Sequence, residues 1–300
     1  MKLNSLSLKD KGIFKEYLDL SRHELSVYSF ESIYIWKGLF DIRWSIIGES
    51  LCVFFTDKIG SFLYLSPLAR QLQGPVIAHA FKVLDGLNRN KEVSRIENVE
   101  EPYLEVYARE GYAFIQKSVD FVCLGSDLAQ LRGNTFKSKR ASLNQFVKNH
   151  TFSYLPYRDE ERDACLRLFE FWAKQRRSAS EDSLYRGMLQ DTHEALKVLL
   201  GDYAHFDCTG RIVRVDGEVK AFTFGFSLNP ETFCILYEVT DLTIRGLAQF
   251  IFREFCRELS SYRYINIMDD SGLENLKRVK FSYRPARLIP SYIVKRKDRN

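Results

Sequence analysis

Glu238 is the one acid in the apolar run CILYEVT, Cys234 to Thr240. A carboxylate placed there can take a proton from an attacking amine or bind an ammonium group. Held in a core instead, it requires a cationic partner. Strict alternation puts Glu238 on the face of Leu236 and Cys234, opposite Ile235 and Tyr237. Downstream, Arg245 and Gly246 stand where the strand pattern gives way to the helical pattern GLAQFIFREFCREL. A helix start offers unpaired N–H groups and the positive end of its dipole, the physical basis for holding a phosphate, although a glycine there serves equally as a plain cap. Tyr283, in KRVKFSYRP, is either a proton donor to a leaving hydroxyl or thiol, or a packed ring whose hydroxyl is satisfied locally.

A second cluster lies in RGNTFKSKRASLNQF, Arg132 to Phe146, where Arg132, Lys137, Lys139 and Arg140 crowd together before the chain turns apolar. On a helix, Phe136, Leu143, Phe146 and Val147 share an arc of about 100°, and Lys139 and Arg140 fall within or beside it. A stripe that tracks nucleic acid would keep its cations together on the solvent face. The segment is therefore expected to be a core-facing helix, with Lys139 and Arg140 held against an inward anion. That anion is either a structural carboxylate or a phosphate of a donor.

Other chemistries lack their signatures. His23, His79, His150, His193 and His205 form no HExxH pair, and no GxSxG marks a nucleophile elbow. The six cysteines, Cys52, Cys123, Cys165, Cys208, Cys234 and Cys256, include no CxxC and read as small core hydrophobes in a reducing compartment. Neither a metal nor a bound cofactor is expected.

The elements that must position these residues are clearest after residue 158. The apolar positions Cys165, Leu168, Phe169, Trp172 and Ala173 recur at helical spacing, and a second helix is expected from about Met188 to Leu200, stopped by Gly201. RIVRVDGEVKAFTFGFSLNPETFCILYEVT holds three runs separated by Asp216-Gly217 and Asn229-Pro230, the pattern of an antiparallel meander. A helix, the strand RYINIMD, a short helix SGLENLKRV and the strand ARLIPSYIVKR follow. The first half repeats the order: a meander from DIRWSIIG, SLCVFFTD and SFLYLSPL, the helix PVIAHAFKVLDGL, the strand VSRIENV, the helix PYLEVYARE and the strand YAFIQKSVDFVCL. Two such series argue for an α+β chain with two domains, residues 1–130 and residues 131–300 with the linking helix, each a mixed, mostly antiparallel sheet flanked by helices.

The 300 residues, 45% apolar and 14% aromatic, can bury cores of that size. The net charge of +5, from 44 basic and 39 acidic residues, suits RNA, anionic lipid or CoA without selecting one, and no DNA partner is expected. MKLNSLSLKDKG has no signal-peptide run, and nowhere do eighteen apolar residues follow one another, so no transmembrane segment is expected. The expectation is a cytoplasmic protein able to touch a membrane from the side.

The order ααβββαβαβ resembles that of GNAT acyltransferases, in which the helix after the fourth strand holds the donor's phosphates at its N-terminus. On that resemblance Arg245 and Gly246 are donor-binding. The corresponding junction of the first half, Gly74-Pro75 in SPLARQLQGPV, looks less suited to chemistry. Three stretches resemble, in order and spacing, the C-terminal aminoacyl-transfer domain of phosphatidylglycerol lysyltransferases and its stand-alone relatives: FVCLGSDLAQLRGNTFKSKRASLNQF, VKAFTFGFSLNPETFCILYEVTDLTIRGLAQFIFREFC and YINIMDDSGLENLKRVKFSYRPARL. This resemblance implies two tandem GNAT-like domains and transfer of an acyl or aminoacyl group from aminoacyl-tRNA or acyl-CoA to an amine or hydroxyl. It implies Glu238 and Tyr283 as catalytic, Lys139 and Arg140 as further phosphate ligands, and Asn266, Asp269 and Lys280 as substrate-binding. Departures from the family pattern fall at Ala141-Ser142, Phe226, Val239 and the run Ile267-Met268. They point either to a changed substrate or to a non-catalytic RNA- or lipid-binding protein on the same scaffold.

Overall fold

The computed structural model describes residues 2–178 and 182–297. The chain is α+β and divides into two compact units. One comprises Met1–Asp120, Asp269–Leu273 and Leu288–Asn300, the other Phe121–Met268 and Glu274–Arg287.

The first unit carries strands β1 (Asn4–Ser5), β2 (Asp41–Ile47), β3 (Ser50–Thr56), β4 (Ser61–Leu63) and β5 (Ile96–Glu100), and helices α1 (Lys11–Leu18), α2 (Phe30–Tyr34), α3 (Gly74–Leu87) and α4 (Leu104–Arg109). Strands β1 to β4 pair antiparallel in sequence order, and β5 lies parallel to β4. Helix α3 opens with Pro75 in its first turn, where the missing N–H costs nothing. Its Val76, Ile77, Ala80, Phe81 and Leu84 recur every three or four residues and pack on Ile47, Phe54, Leu63, Ile96 and Val99 of the strands. The polar groups buried here are structural. Glu100 accepts from the backbone N–H of Glu24 and Leu25 and lies 2.7 Å from His23 Nδ1, while Asp120 accepts from the N–H of Ser26.

The chain passes from one unit to the other within β6 (Tyr112–Leu124). The second unit then holds α5 (Gly125–Gln130), α6 (Lys137–Asn149), β7 (Phe152–Pro156), α7 (Arg162–Ser178), α8 (Ser183–Gly201), β8 (Cys208–Val215), β9 (Glu218–Asn229), β10 (Thr232–Thr240), α9 (Leu247–Glu258), β11 (Tyr264–Asn266) and α10 (Glu274–Phe281). Strands β7 to β10 pair antiparallel, β11 runs parallel to β10, and the Val122–Leu124 end of β6 pairs antiparallel with β11. The last strand, β12 (Arg287–Arg296), pairs with β5 in the first unit. The first unit thus takes in a strand from the end of the sequence, and the second unit takes in the end of a strand that begins in the first. Helix α9 buries Leu247, Phe250, Ile251 and Phe255 against one face of the second unit's strands, together with Leu143 and Phe146 of α6. Tyr237 reaches α8 on the other face, its hydroxyl donating to the Thr192 carbonyl oxygen.

Helix α8 begins at Ser183, about a turn and a half ahead of the expected Met188. Asp182 caps it, its carboxylate accepting from the N–H groups of Leu184 and Tyr185. Gly187 inside the helix interrupts the apolar period and hides this start from the sequence. No helix among the described residues is long and apolar enough to cross a membrane.

Candidate functional site

Glu238 owes its position to an irregularity in β10. Ile235 faces Gly225 of β9, but Tyr237 faces Phe224, so Leu236 is an extra residue on the β10 side. Gly225 permits the close approach, since a Cβ there would lie 2.3 Å from the Cys234 carbonyl oxygen. The bulge reverses the alternation. Ile235 lies in the core beside Cys256 and Tyr283, and the Glu238 charge acts on both of those side chains. The expectation that Glu238 shares a face with Cys234 and opposes Ile235 is therefore corrected: it lies on the side of Ile235 and opposes Tyr237. Period-2 counting fails because one residue of the strand is unpaired.

Leu236 and Glu238 are the two positions of β10 that keep accessible surface in a strand otherwise buried throughout. The Oε2 atom of Glu238 is nonetheless closed off from water and has no hydrogen-bond partner among the described residues. Burial pushes the Glu238 carboxyl up to about 8, against the pull of Lys280 and then Lys139. The two lysines come from helices far apart in sequence. Lys280 of α10 is buried, and its ammonium donates to the carbonyl oxygens of Ile267 and Met268. Lys139 of α6 is half-buried; its Nζ donates to Ser282 Oγ at 2.7 Å and lies 3.8 Å from the centroid of the Tyr283 ring. Desolvation lowers the Lys139 pKa, and Glu238 opposes that change. Tyr283 packs on Phe252 at 4.5 Å between centroids; burial, then Glu238, holds its hydroxyl far above the usual range, so it stays protonated.

Glu238, Tyr283, Lys139 and Lys280 thus form one group. The remaining candidates serve other positions. Arg140 donates to the carbonyl oxygens of Leu131 and Gly133, bracing the turn ahead of α6, so its partners are carbonyls rather than the inward anion expected for it. Val147, expected on the core arc, is 45% exposed because the apolar face of α6 ends at Phe146. Asn266 is fully buried and its Oδ1 accepts from the N–H of Met268, so it shares with Lys280 the task of fixing the turn after β11. Asp269 belongs to the other unit, where its carboxylate accepts from the N–H of Ser271. Arg245 is exposed. Ser282, the hydroxyl that anchors Lys139, was not singled out in the sequence; its place beside Tyr283 was the available signal.

Gly246 caps α9 with φ +88°, and a Cβ on it would fall 2.0 Å from the Ser142 carbonyl oxygen. The backbone of α6 therefore lies directly against this helix start. Gly246→Ala is expected to lower stability by at least about 2 kcal/mol, from backbone strain and a clash with backbone that cannot rotate away. Denaturant unfolding would register this. A midpoint equal to wild type would show that α6 does not press on Gly246.

No curated protein matches the sequence. Among solved structures, a conserved protein of unknown function from Bacteroides thetaiotaomicron VPI-5482 is 26% identical, with a TM-score of 0.87 over 99% of this chain and 100% of that one. L-PGS from Bacillus licheniformis shares 15% identity with a TM-score of 0.66, over 97% of this chain and 93% of that one. FemX shares 9% identity with a TM-score of 0.62, over 98% and 97%. These last two show a common fold. Residues 19–295 match the family model described as phosphatidylglycerol lysyltransferase, C-terminal. The chain therefore belongs to the phosphatidylglycerol lysyltransferase C-terminal family.

Proposed function

We propose that the protein transfers an acyl or aminoacyl group from a phosphate-bearing donor, aminoacyl-tRNA or acyl-CoA, to an amine or hydroxyl acceptor. The observation that carries this reading is Glu238, a carboxyl with a pKa of about 8 on a strand that keeps surface only at Leu236 and Glu238. A group titrating there is matched to moving a proton near neutral pH. The acceptor nitrogen or oxygen attacks the donor carbonyl carbon as its proton passes to the Glu238 carboxylate. The bond to the leaving oxygen or sulfur then breaks, and that atom takes up the proton from Glu238 or, in relay, from the Tyr283 hydroxyl. One bond forms, one breaks, and the proton moves from acceptor to leaving group. Lys139 and Lys280 offset the negative charge that builds up during the attack.

Family membership supports the transfer class, and the names phosphatidylglycerol lysyltransferase and L-PGS make an anionic lipid met from the membrane surface one acceptor to test. The purified protein should be incubated with charged tRNA or acyl-CoA in the presence of small amines or vesicles containing phosphatidylglycerol. Formation of acylated acceptor is expected with one of these donors. Absence of transfer and of donor hydrolysis across the panel, combined with salt-dependent binding of tRNA or vesicles, would replace this reading with that of a non-catalytic binder.

A further inference from the structure

Two lysines act on Glu238, yet among the described residues neither forms an ion pair or a hydrogen bond with it, and its Oε2 has no partner. The reason lies in what else holds them. Lys280 is engaged by the carbonyl oxygens of Ile267 and Met268. Lys139 is caught at the far end of α10. The chain leaves that helix after Phe281 in a turn closed by the Ser282 N–H, on the carbonyl oxygens of Arg278 and Val279, and by the Tyr283 N–H, on that of Lys280. The Ser282 hydroxyl donates back to the Val279 carbonyl oxygen, which leaves its own oxygen able to accept from Lys139 Nζ at 2.7 Å. The negative end of the α10 dipole and the Tyr283 ring, its centroid 3.8 Å from the ammonium, add to the attraction. Lys139 lies within electrostatic reach of Glu238 and has a flexible four-carbon stem, so the serine oxygen and the carboxylate compete for one ammonium.

We propose that Ser282 is a positioning residue: it holds the Lys139 ammonium off Glu238 and so keeps that carboxyl unpaired and able to accept a proton. This role rests on the transfer reading, whereas the competition for Lys139 does not. A direct pair with Lys139 would favour the ionised carboxylate and leave it a weaker base. The other groups that face Glu238 among the described residues cannot stand in for the lysines. Thr223, across from it on β9, gives its hydroxyl proton to the Tyr237 carbonyl oxygen. Cys256 of α9 and Tyr283 both sense the Glu238 charge, and burial keeps both protonated far above neutral pH. Cys123 of β6, which acts on both of them, is likewise pushed up to about 12 by burial. Near neutral pH, therefore, only the placement of the lysines can move the titration of Glu238.

The test compares each protein with its own Glu238→Gln counterpart in unfolding free energy across the pH range, a measurement that needs no turnover. In wild type the difference should stop growing near the Glu238 value of about 8. In Ser282→Ala, whose unfolding midpoint is checked first, Lys139 turns to the carboxylate, and that end point should fall by about one pH unit. The acid limb of the pH–rate profile should fall with it, and the plateau rate by about 3- to 10-fold. Ser282→Thr keeps a hydroxyl and should restore both. In a Lys139→Met background, Ser282→Ala should leave the end point where Lys139→Met alone puts it, a dependence that lost packing cannot imitate. If Ser282→Ala does not fold, Ser282→Cys, close in size but a weak acceptor, should move the end point in the same direction. An end point that stays or rises when the serine is replaced, or that falls as far without Lys139, overturns the proposal. If the end points shift as expected but no protein transfers, the hold of Ser282 on Lys139 stands and the transfer reading is the one that fails.

Discussion

Glu238→Gln should reduce transfer by about 10²- to 10⁴-fold, the usual contribution of a positioned acid or base. The amide keeps the size and one acceptor of the carboxyl but cannot gain or lose a proton near neutral pH. Lys139 provides an internal control. Burial raises Glu238, and Lys139 is one of the two cations holding it back. Lys139→Met should therefore move the acid limb of the pH–rate profile to higher pH, whereas Lys139→Arg should leave it close to wild type. A glutamine variant that retains activity within about threefold would remove Glu238 from the chemistry. An unshifted profile in Lys139→Met would mean that the two side chains do not communicate.

Much of the second unit was legible because its turns are chemically explicit. Asp216 and Gly217 both adopt positive φ, at 52° and 83°, as a tight hairpin requires, and they separate β8 from β9 where the sequence placed the break. Three physical facts hid the rest. The bulge at Leu236 leaves no mark in composition, yet it decides which way Glu238 faces. The meeting of Lys139, Lys280 and Glu238 is a tertiary event among α6, α10 and β10, and no local period encodes it. Strand pairing is equally silent: β12 reads as a strand from its residues, but nothing in them names β5 as its neighbour. Short buried helices form a further blind spot. Every residue of α2, from Phe30 to Tyr34, is buried, so there is no exposed face to produce an amphipathic period, and only the Ser29 cap, accepting from the Ser32 N–H, marks its start.

The same carboxyl that suits proton transfer should make the protein less stable as the pH rises. Glu238 has an ordinary value of 4.5 and a folded value of about 8, with burial as the main cause. Below about 4.5 the proton is bound in both folded and unfolded chains, and Glu238 costs nothing. Between 4.5 and 8 the unfolded chain has released the proton while the folded one retains it, so each pH unit favours unfolding by about 1.4 kcal/mol. Above 8 both forms are ionised and the loss levels off. Other groups act in opposite senses: Glu97 and Asp85 are held below their usual range, adding stability as the pH rises through the acid region, and His193, lowered mainly by burial, does so nearer neutrality. Comparing wild type with Glu238→Gln cancels these contributions, since glutamine does not titrate. Unfolding free energies measured from pH 4 to 9 should show the variant gaining on wild type by several kcal/mol between pH 5 and 8, with flat differences on either side. A variant destabilised equally at every pH would mean that Glu238 is held ionised by Lys139 and Lys280 as a structural ion pair. A rising difference would instead show that the fold keeps a carboxyl it would be more stable without, the relation expected of a residue retained for chemistry.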